Sequence, residues 1–275
     1  MDRVSQLEKE NTRLQEIVES MDKSARLLVH RDIELRRANS KLQTLDTQKS
    51  EFISIAAHQI RTPLSALRWS QQMLIDGDLG ELNVQQRDIL IQAQQSVLRL
   101  VNLVNNLLEV EHLELKTEQK PTILLDLNIL VKEAYADFLN SAVEKGVTLN
   151  LQLAQTPALI LADAVAVKDV LINVIDNAIK YTLKGGSVTV KVAVAESVIV
   201  SITDTGIGIP QSYWDKLFKR FSRAENAKKV NADGSGLGLY IVLKIMESFG
   251  GAVTVVSTEG VGSTFTLQFK HQTES

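Results

Sequence analysis

Apolar residues near the start of the chain fall at Val4, Leu7, Leu14, Val18, Met21, Ala25 and Leu28, in steps of three and four, with Asn11 filling one inner slot. This 3.5-residue period predicts a parallel coiled coil, and one polar Asn in the seam favours two strands in register at some loss of stability. A dimer is therefore expected. Past Leu28 the seam falters: Asp32 takes an inner slot, Leu35 is in phase, and Ala38 arrives one residue early, before Leu42, Leu45, Lys49 and Phe52. Two successive steps of three overwind a coiled coil locally. A plain helix with an imperfect repeat fits the same residues, so the pattern leaves both readings open.

No Gly or Pro interrupts the chain before Pro63, which predicts one helix running to about Ile75. "DGDLGELN" (76–83) supplies turn signals, and apolar spacing resumes at Ile89, Leu90, Ala93, Val97, Leu100, Val101, Val104, Leu107 and Leu108. The result is a helical hairpin whose apolar faces are too wide for two helices to cover, so a second copy is expected to complete a four-helix bundle. The texture changes across "KTEQKPTILLDL" (116–127). Beyond it come a helix near 128–144, a strand in "VTLNLQL", a helix in "DVLINVIDNAIKYT" and strands in "SVTVKVAVA" and "VIVSITD". A helix in "GLGLYIVLKIMESFG" and paired strands in "AVTVVS" and "STFTLQF" follow. The fold class is thus all-α followed by α/β, with a mixed sheet carrying helices on one face. The expected divisions are a signalling coiled coil at 1–45, a helical hairpin at 46–117 and a mixed domain at 118–275.

Composition changes this picture little. The chain has 275 residues, 44% hydrophobic and 23% charged, an ordinary globular balance with room for more than one domain. Net charge of -3 gives no electrostatic footprint for nucleic acid or an anionic membrane. The absence of cysteine removes disulfides, thiolate catalysis and thiolate zinc sites, and fits a reducing cytoplasm. No window approaches the ~18 apolar residues of a spanning helix, and "MDRVSQLEKE" lacks a signal-peptide core.

Two glycine loops carry the chemistry. "DTGIGIP" (204–210) follows a strand and "DGSGLGL" (233–239) opens a helix. Glycine lets backbone approach a ligand closely, and helix N-terminal N–H groups favour an anion, with phosphate the obvious candidate. "DTG" also occurs around aspartic-protease nucleophiles, but the second such loop that a protease needs is missing. In "NVIDNAIKYT", Asn173 and Asn177 share a helix face, with Lys180 three residues further on. An amide oxygen suits Mg²⁺, and Lys offers a point charge for phosphate. Without the glycine loops the same stripe would read as a solvated outer face over buried Val174, Ile175, Ala178 and Ile179.

In order along the chain stand "HQIRTPL", "NVIDNAIKY", "DTGIGIP", "LFKRF", "GSGLGL" and "GVGSTFTLQF". This series resembles the two-component sensor histidine kinases, with their H, N, first glycine, F and second glycine boxes. The resemblance runs from Ser50 to the end. It implies that 46–117 is the dimerisation and histidine-phosphotransfer hairpin, and that 118–275 is a Bergerat-type ATP-binding α/β sandwich shared with gyrase and a heat-shock chaperone.

By that resemblance, Asp204 accepts the adenine amino group, Gly206 and Gly208 shape the pocket, and Asn177 coordinates Mg²⁺ with Asn173 beside it. Lys180, Tyr181, Gly234, Gly236, Leu237, Gly238 and Thr264 surround the rest of ATP under a lid at 222–233. In the F box Lys219 stands where an acidic residue is common, while Arg220 and Arg223 remain, and Arg223 is expected to reach the γ-phosphate. His58 is the implied phosphoacceptor. The family usually has Glu or Asp directly after it, and here Gln59 stands instead: its amide oxygen can accept the other imidazole N–H but cannot neutralise an imidazolium. Thr62, one turn on, is placed to orient a water for phosphatase action, or else to bond back to a carbonyl. Pro63 removes an N–H, so the helix is expected to bend after the histidine.

The implied function is ATP-dependent autophosphorylation of His58 and transfer to an aspartate on a response-regulator receiver domain, with phosphatase activity beside it. A kinase weakened by Gln59, acting as an ATP-binding partner module, is the alternative. The expected setting is a cytoplasmic homodimer without nucleic acid or a membrane segment, and with no sensor domain in this chain. His30, His112 and His271 read as solvated surface residues, and Trp69 as packing.

Overall fold

The computed structural model describes residues 2–115, 122–231 and 234–272. The linker at 116–121 and Asp233 fall outside these, as do the side chains of Val4, Leu7 and Asn11. The chain divides into two compact units, Met1–Ile53 and Ser54–Ser275.

From Asp2 the first unit is helical, the early part of α1 (Asp2–Asp76). Pairs spaced i,i+4 lace its surface, Arg26 to Asp22 at 2.8 Å and Arg36 to Asp32 at 2.8 Å. Leu14, Val18, Met21, Leu28, Leu35, Leu42, Leu45 and Phe52 are all exposed. A single chain therefore leaves the heptad seam uncovered, as a coiled-coil strand does without its partner.

The second unit begins with the end of α1 and with α2 (Val84–Leu115). Pro63 stands inside α1, and the helix carries through it rather than ending there. The helices turn at Gly77 and Gly80, and α2 starts on a reciprocal capping box: Gln86 N–H donates to Asn83 Oδ1 at 2.9 Å, and Asn83 N–H to Gln86 Oε1 at 3.0 Å. Ala57, Leu64, Val97 and Val104 are buried between the helices, with Val101 and Leu108 beside them. Gln94 donates to Gln72 at 2.7 Å and Arg61 to Asn105 at 2.8 Å, which fixes the antiparallel register. In that register His58 lies level with Leu108.

The remainder is the mixed domain. β1 (Ile123–Asp126) pairs antiparallel with β3 (Leu159–Ala162). The main sheet orders β2 (Thr148–Gln152), β4 (Ser187–Val194), β5 (Ser197–Asp204), β7 (Gly262–Lys270) and β6 (Ala252–Thr258); only β2 and β4 are parallel. α3 (Leu127–Asp137), α5 (Ala164–Tyr181) and α7 (Gly238–Ser248) cover one face. The short α4 (Leu139–Lys145) leads into β2, and α6 (Glu225–Val230) stands between β5 and α7. Alternation puts Val198, Val200 and Ile202 of β5 and Leu267 and Phe269 of β7 inward. They meet Val167, Val170, Leu171, Val174, Ile175 and Ala178 on α5, spaced i, i+3, i+4. One face of α5 is thus committed to the core, which turns Asn173, Asn177 and Lys180 toward the helix's other side.

Candidate functional site

A cavity of about 200 Å³ opens between α5, the first glycine loop, the segments at 222–231 and 234–236 and the start of α7. Its lining brings together Asn173, Asn177, Lys180, Tyr181, Asp204, Gly208, Arg223, Gly234, Gly236 and Gly238, which lie far apart in sequence. Gly206 and Leu237, also expected at the nucleotide, are not in the lining. A Cβ on Gly206 would lie 2.4 Å from the Tyr181 carbonyl oxygen, and Leu237 is fully buried in the core.

Asp204 forms the floor at the end of β5 and is 7% exposed. Its Oδ1 accepts from Gly206 N–H at 2.8 Å and from Ser263 N–H at 3.3 Å. Burial pushes its carboxyl above the usual aspartate range, and these two bonds offset part of that rise. Oδ2 has no protein partner among the described residues, so it is free to accept a ligand N–H. Gly208 must be glycine: φ is +62° and a Cβ would sit 2.0 Å from the Thr258 carbonyl oxygen.

At the other end, Asn173 Nδ2 donates back to the Asp169 carbonyl at 2.9 Å, while the Asn177 amide has no protein partner among the described residues. A hard cation needing one amide oxygen, with phosphate and water completing its shell, fits Asn177. No cluster of three or more His, Cys, Asp or Glu suited to a metal occurs among the described residues. Lys180 is ion-paired with Asp176, which also lines the cavity. Behind them Lys145 Nζ donates to the carbonyls of Ile179 and Lys180 at the C-terminal end of α5, and its own burial lowers its pKa.

The segment at 222–231 leans over this opening. Asn226 Nδ2 donates to the Gly208 carbonyl at 3.0 Å, tying the segment to the first glycine loop. The Arg223 guanidinium lines the cavity, yet it bonds the Asn231 and Ala227 carbonyls rather than standing free for a phosphate. Phe221 takes φ +57° where the chain turns into the segment, and Gly236 packs on its backbone, where a Cβ would be 2.8 Å from the Phe221 carbonyl carbon.

Among the expected residues, the cavity lining leaves out Thr264, Gly206 and Leu237. Thr264 does not line the cavity: its hydroxyl lies 3.0 Å from that of Thr203, across the neighbouring strand. Ser263 takes the place assigned to it, because Ser263 pairs with Asp204 in register and Phe265 follows on the same side. Strand alternation from Asp204 was the signal for this. Ile207, Ile209, Tyr213 and Asn226 also line the cavity and were not anticipated. Nor was Asn106, which reaches it from α2.

His58 and Gln59 are exposed on α1, outside the cavity lining. Thr62 Oγ1 lies 3.4 Å from the His58 carbonyl oxygen, so in this structure the hydroxyl turns back on its own helix.

Comparison with known proteins agrees with this geometry. Residues 48–116 match the His Kinase A (phospho-acceptor) domain, and residues 162–273 match the histidine kinase-, DNA gyrase B- and HSP90-like ATPase family. The chain is 31% identical over 242 residues to the aerobic respiration control sensor protein ArcB of Escherichia coli, covering 86% of this chain and 31% of that protein. It is 29% identical over 247 residues to the sensor histidine kinase WalK of Bacillus subtilis, covering 84% and 38%. It therefore spans well under half the length of these curated relatives. Among solved structures, full-length ShkA in complex with AMPPNP superposes with a TM-score of 0.69 at 26% identity, over 82% of this chain and 46% of that one. The Acinetobacter baumannii histidine kinase AdeS gives 0.56 at 25% identity, over 78% and 98%. A phosphoacceptor hairpin followed by this ATPase fold, with its glycine loops and paired asparagines around one cavity, makes the chain a member of the two-component sensor histidine kinases.

Proposed function

We propose that this chain binds ATP in the cavity, phosphorylates its own His58, and passes the phosphoryl group to an aspartate on a response-regulator receiver domain. The observation that carries this is the convergence of Asp204, Asn177 and both glycine loops on one cavity, in a chain whose hairpin displays an exposed histidine. Asp204 Oδ2 accepts the adenine amino group, and the N–H groups at the start of α7 face the phosphates. Mg²⁺, held through Asn177, supplies charge compensation on the phosphates. A neutral ring nitrogen of His58 attacks the γ-phosphorus in line; the bond to the ADP oxygen breaks and ADP leaves. Gln59 accepts the N–H of the other ring nitrogen, which fixes the tautomer. Thr62, rotated off the His58 carbonyl, orients a water for dephosphorylation of the partner.

The working unit is a homodimer, since Ile55, Ile60, Leu67, Leu98, Leu100 and Leu103 remain exposed on the hairpin. The divisions at 1–45, 46–117 and 118–275 are retained as coiled coil, phosphotransfer hairpin and catalytic domain. No helix among the described residues is long and apolar enough to cross a membrane, and the supply of ATP argues for a cytoplasmic setting.

The test is incubation with labelled ATP and Mg²⁺. Label that is acid-labile and base-stable, and that is lost in Asn177→Ala, is expected. A chain that binds ATP but never acquires label would instead support the weakened binding module.

A further inference from the structure

The sequence places Asn106 in the phosphotransfer hairpin, yet its side chain helps wall the nucleotide cavity. The packing of α2 explains how. Val110 is fully buried within the catalytic domain's core cluster, and Glu111 is 2% exposed, with Oε1 3.7 Å from Arg220 Nη1. Arg220 in turn lies 5.0 Å over the Tyr240 ring and donates to the Tyr240 hydroxyl at 3.3 Å. This carboxylate, guanidinium and ring seat α2 against α7. Asn106 stands four residues before Val110, one turn along the same helix face, so whatever seats Val110 also turns Asn106 toward the cavity.

We infer that Asn106 is a positioning residue for the phosphate end of the nucleotide, contributed by the phosphotransfer hairpin. The purine end is marked by Asp204 and Ser263. The opposite end is marked by Asn177, Gly234 and Gly238, and Gly238 is the first residue of α7, the helix on which α2 rests. The Asn106 amide has no protein partner among the described residues, so its N–H groups are available to phosphate oxygens. In the hairpin register it lies two residues from the level of His58, a rise of about 3 Å. A triphosphate would thereby touch the domain that receives its terminal phosphoryl group, and its binding would favour the seated arrangement over a free catalytic domain.

This inference rests on the nucleotide reading and is separable from it. Binding of Mg²⁺-AMPPNP and of adenosine to the full chain is measured by calorimetry, beside the melting temperature. Asn106→Asp places a negative charge near the polyphosphate and is expected to weaken AMPPNP about tenfold. Asn106→Ala should weaken it about threefold. Adenosine affinity and melting temperature should stay at wild-type values in both. AMPPNP binding unchanged in Asn106→Asp, or an equal loss for both ligands, would overturn the inference. A wild-type chain that binds neither ligand would overturn the nucleotide reading, and this inference with it.

Discussion

Gly238→Ala separates the site from the stability of the fold. Gly238 is the first residue of α7, and its φ lies outside the left-handed region, so alanine fits the backbone. The new methyl would stand 2.7 Å from Asn173 Oδ1 and 3.9 Å from Asn177 Nδ2. Ordinary contact requires the Asn173 amide to move by roughly 0.5–1 Å. That movement strains its 2.9 Å bond to the Asp169 carbonyl, a loss of about 1 kcal/mol. Removing glycine's freedom in the unfolded chain returns about 0.4–1 kcal/mol. The two nearly cancel, so the melting temperature should stay within about 3 °C of wild type. Activity should not: displacing one amide of the pair by that distance is expected to slow phosphohistidine formation by about 10- to 100-fold. Initial rates at saturating ATP, read beside calorimetric melting, provide the assay. A rate within about twofold of wild type would refute the placement of Asn173. So would a melting temperature lowered by as much as about 10 °C, which would make the glycine a requirement of the fold.

Three further outcomes follow from individual groups. Burial raises the pKa of Asp204, and protonation makes its carboxyl a weaker acceptor for the adenine amino group, so AMPPNP affinity should fall with decreasing pH above the usual aspartate range. The folded state holds this proton more tightly than the unfolded chain, so Asp204's contribution to stability moves the opposite way, improving as pH drops through the raised value; affinity that is flat down to the ordinary aspartate range would refute this. Gln59→Glu should raise the autophosphorylation rate about fivefold, the worth of roughly 1 kcal/mol from one exposed charge pair; an unchanged or lower rate in single-turnover kinetics contradicts it. Lys145→Met removes the Nζ donor from the Ile179 and Lys180 carbonyls, the former still accepting from Thr182 N–H, and should cost about 1–3 kcal/mol in denaturant unfolding; a midpoint equal to wild type would show that the contact contributes nothing.

How much was legible in the sequence depended on how local each signal is. α5 was readable because its apolar i, i+3, i+4 face and its Asn173, Asn177 and Lys180 stripe are both written in consecutive turns. The glycine loops were readable because Gly208 answers a backbone demand that only glycine meets. β1 and β3 escaped notice: "ILLD" and "LILA" are four-residue apolar runs with no period to separate strand from helix. α6 lacked an apolar stripe altogether. In the site, Thr264 was expected and Ser263 lines the cavity, a one-residue difference that in a strand sends the side chain to the opposite face. Asn106 could not be found locally, because what aims it is the packing of α2 on α7 and Arg220, more than a hundred residues further along the chain. Arg223 was identified as part of the site, but its bonds to the Asn231 and Ala227 carbonyls depend on how the segment at 222–231 folds back.

The central claim concerns one imidazole. Full-length protein incubated with ATP and Mg²⁺, digested at neutral pH and sequenced by tandem mass spectrometry, should carry the mass of one phosphoryl group on His58, and His58→Ala should carry none. A phosphoryl group found on another residue, or retained by the His58→Ala chain, would contradict the account.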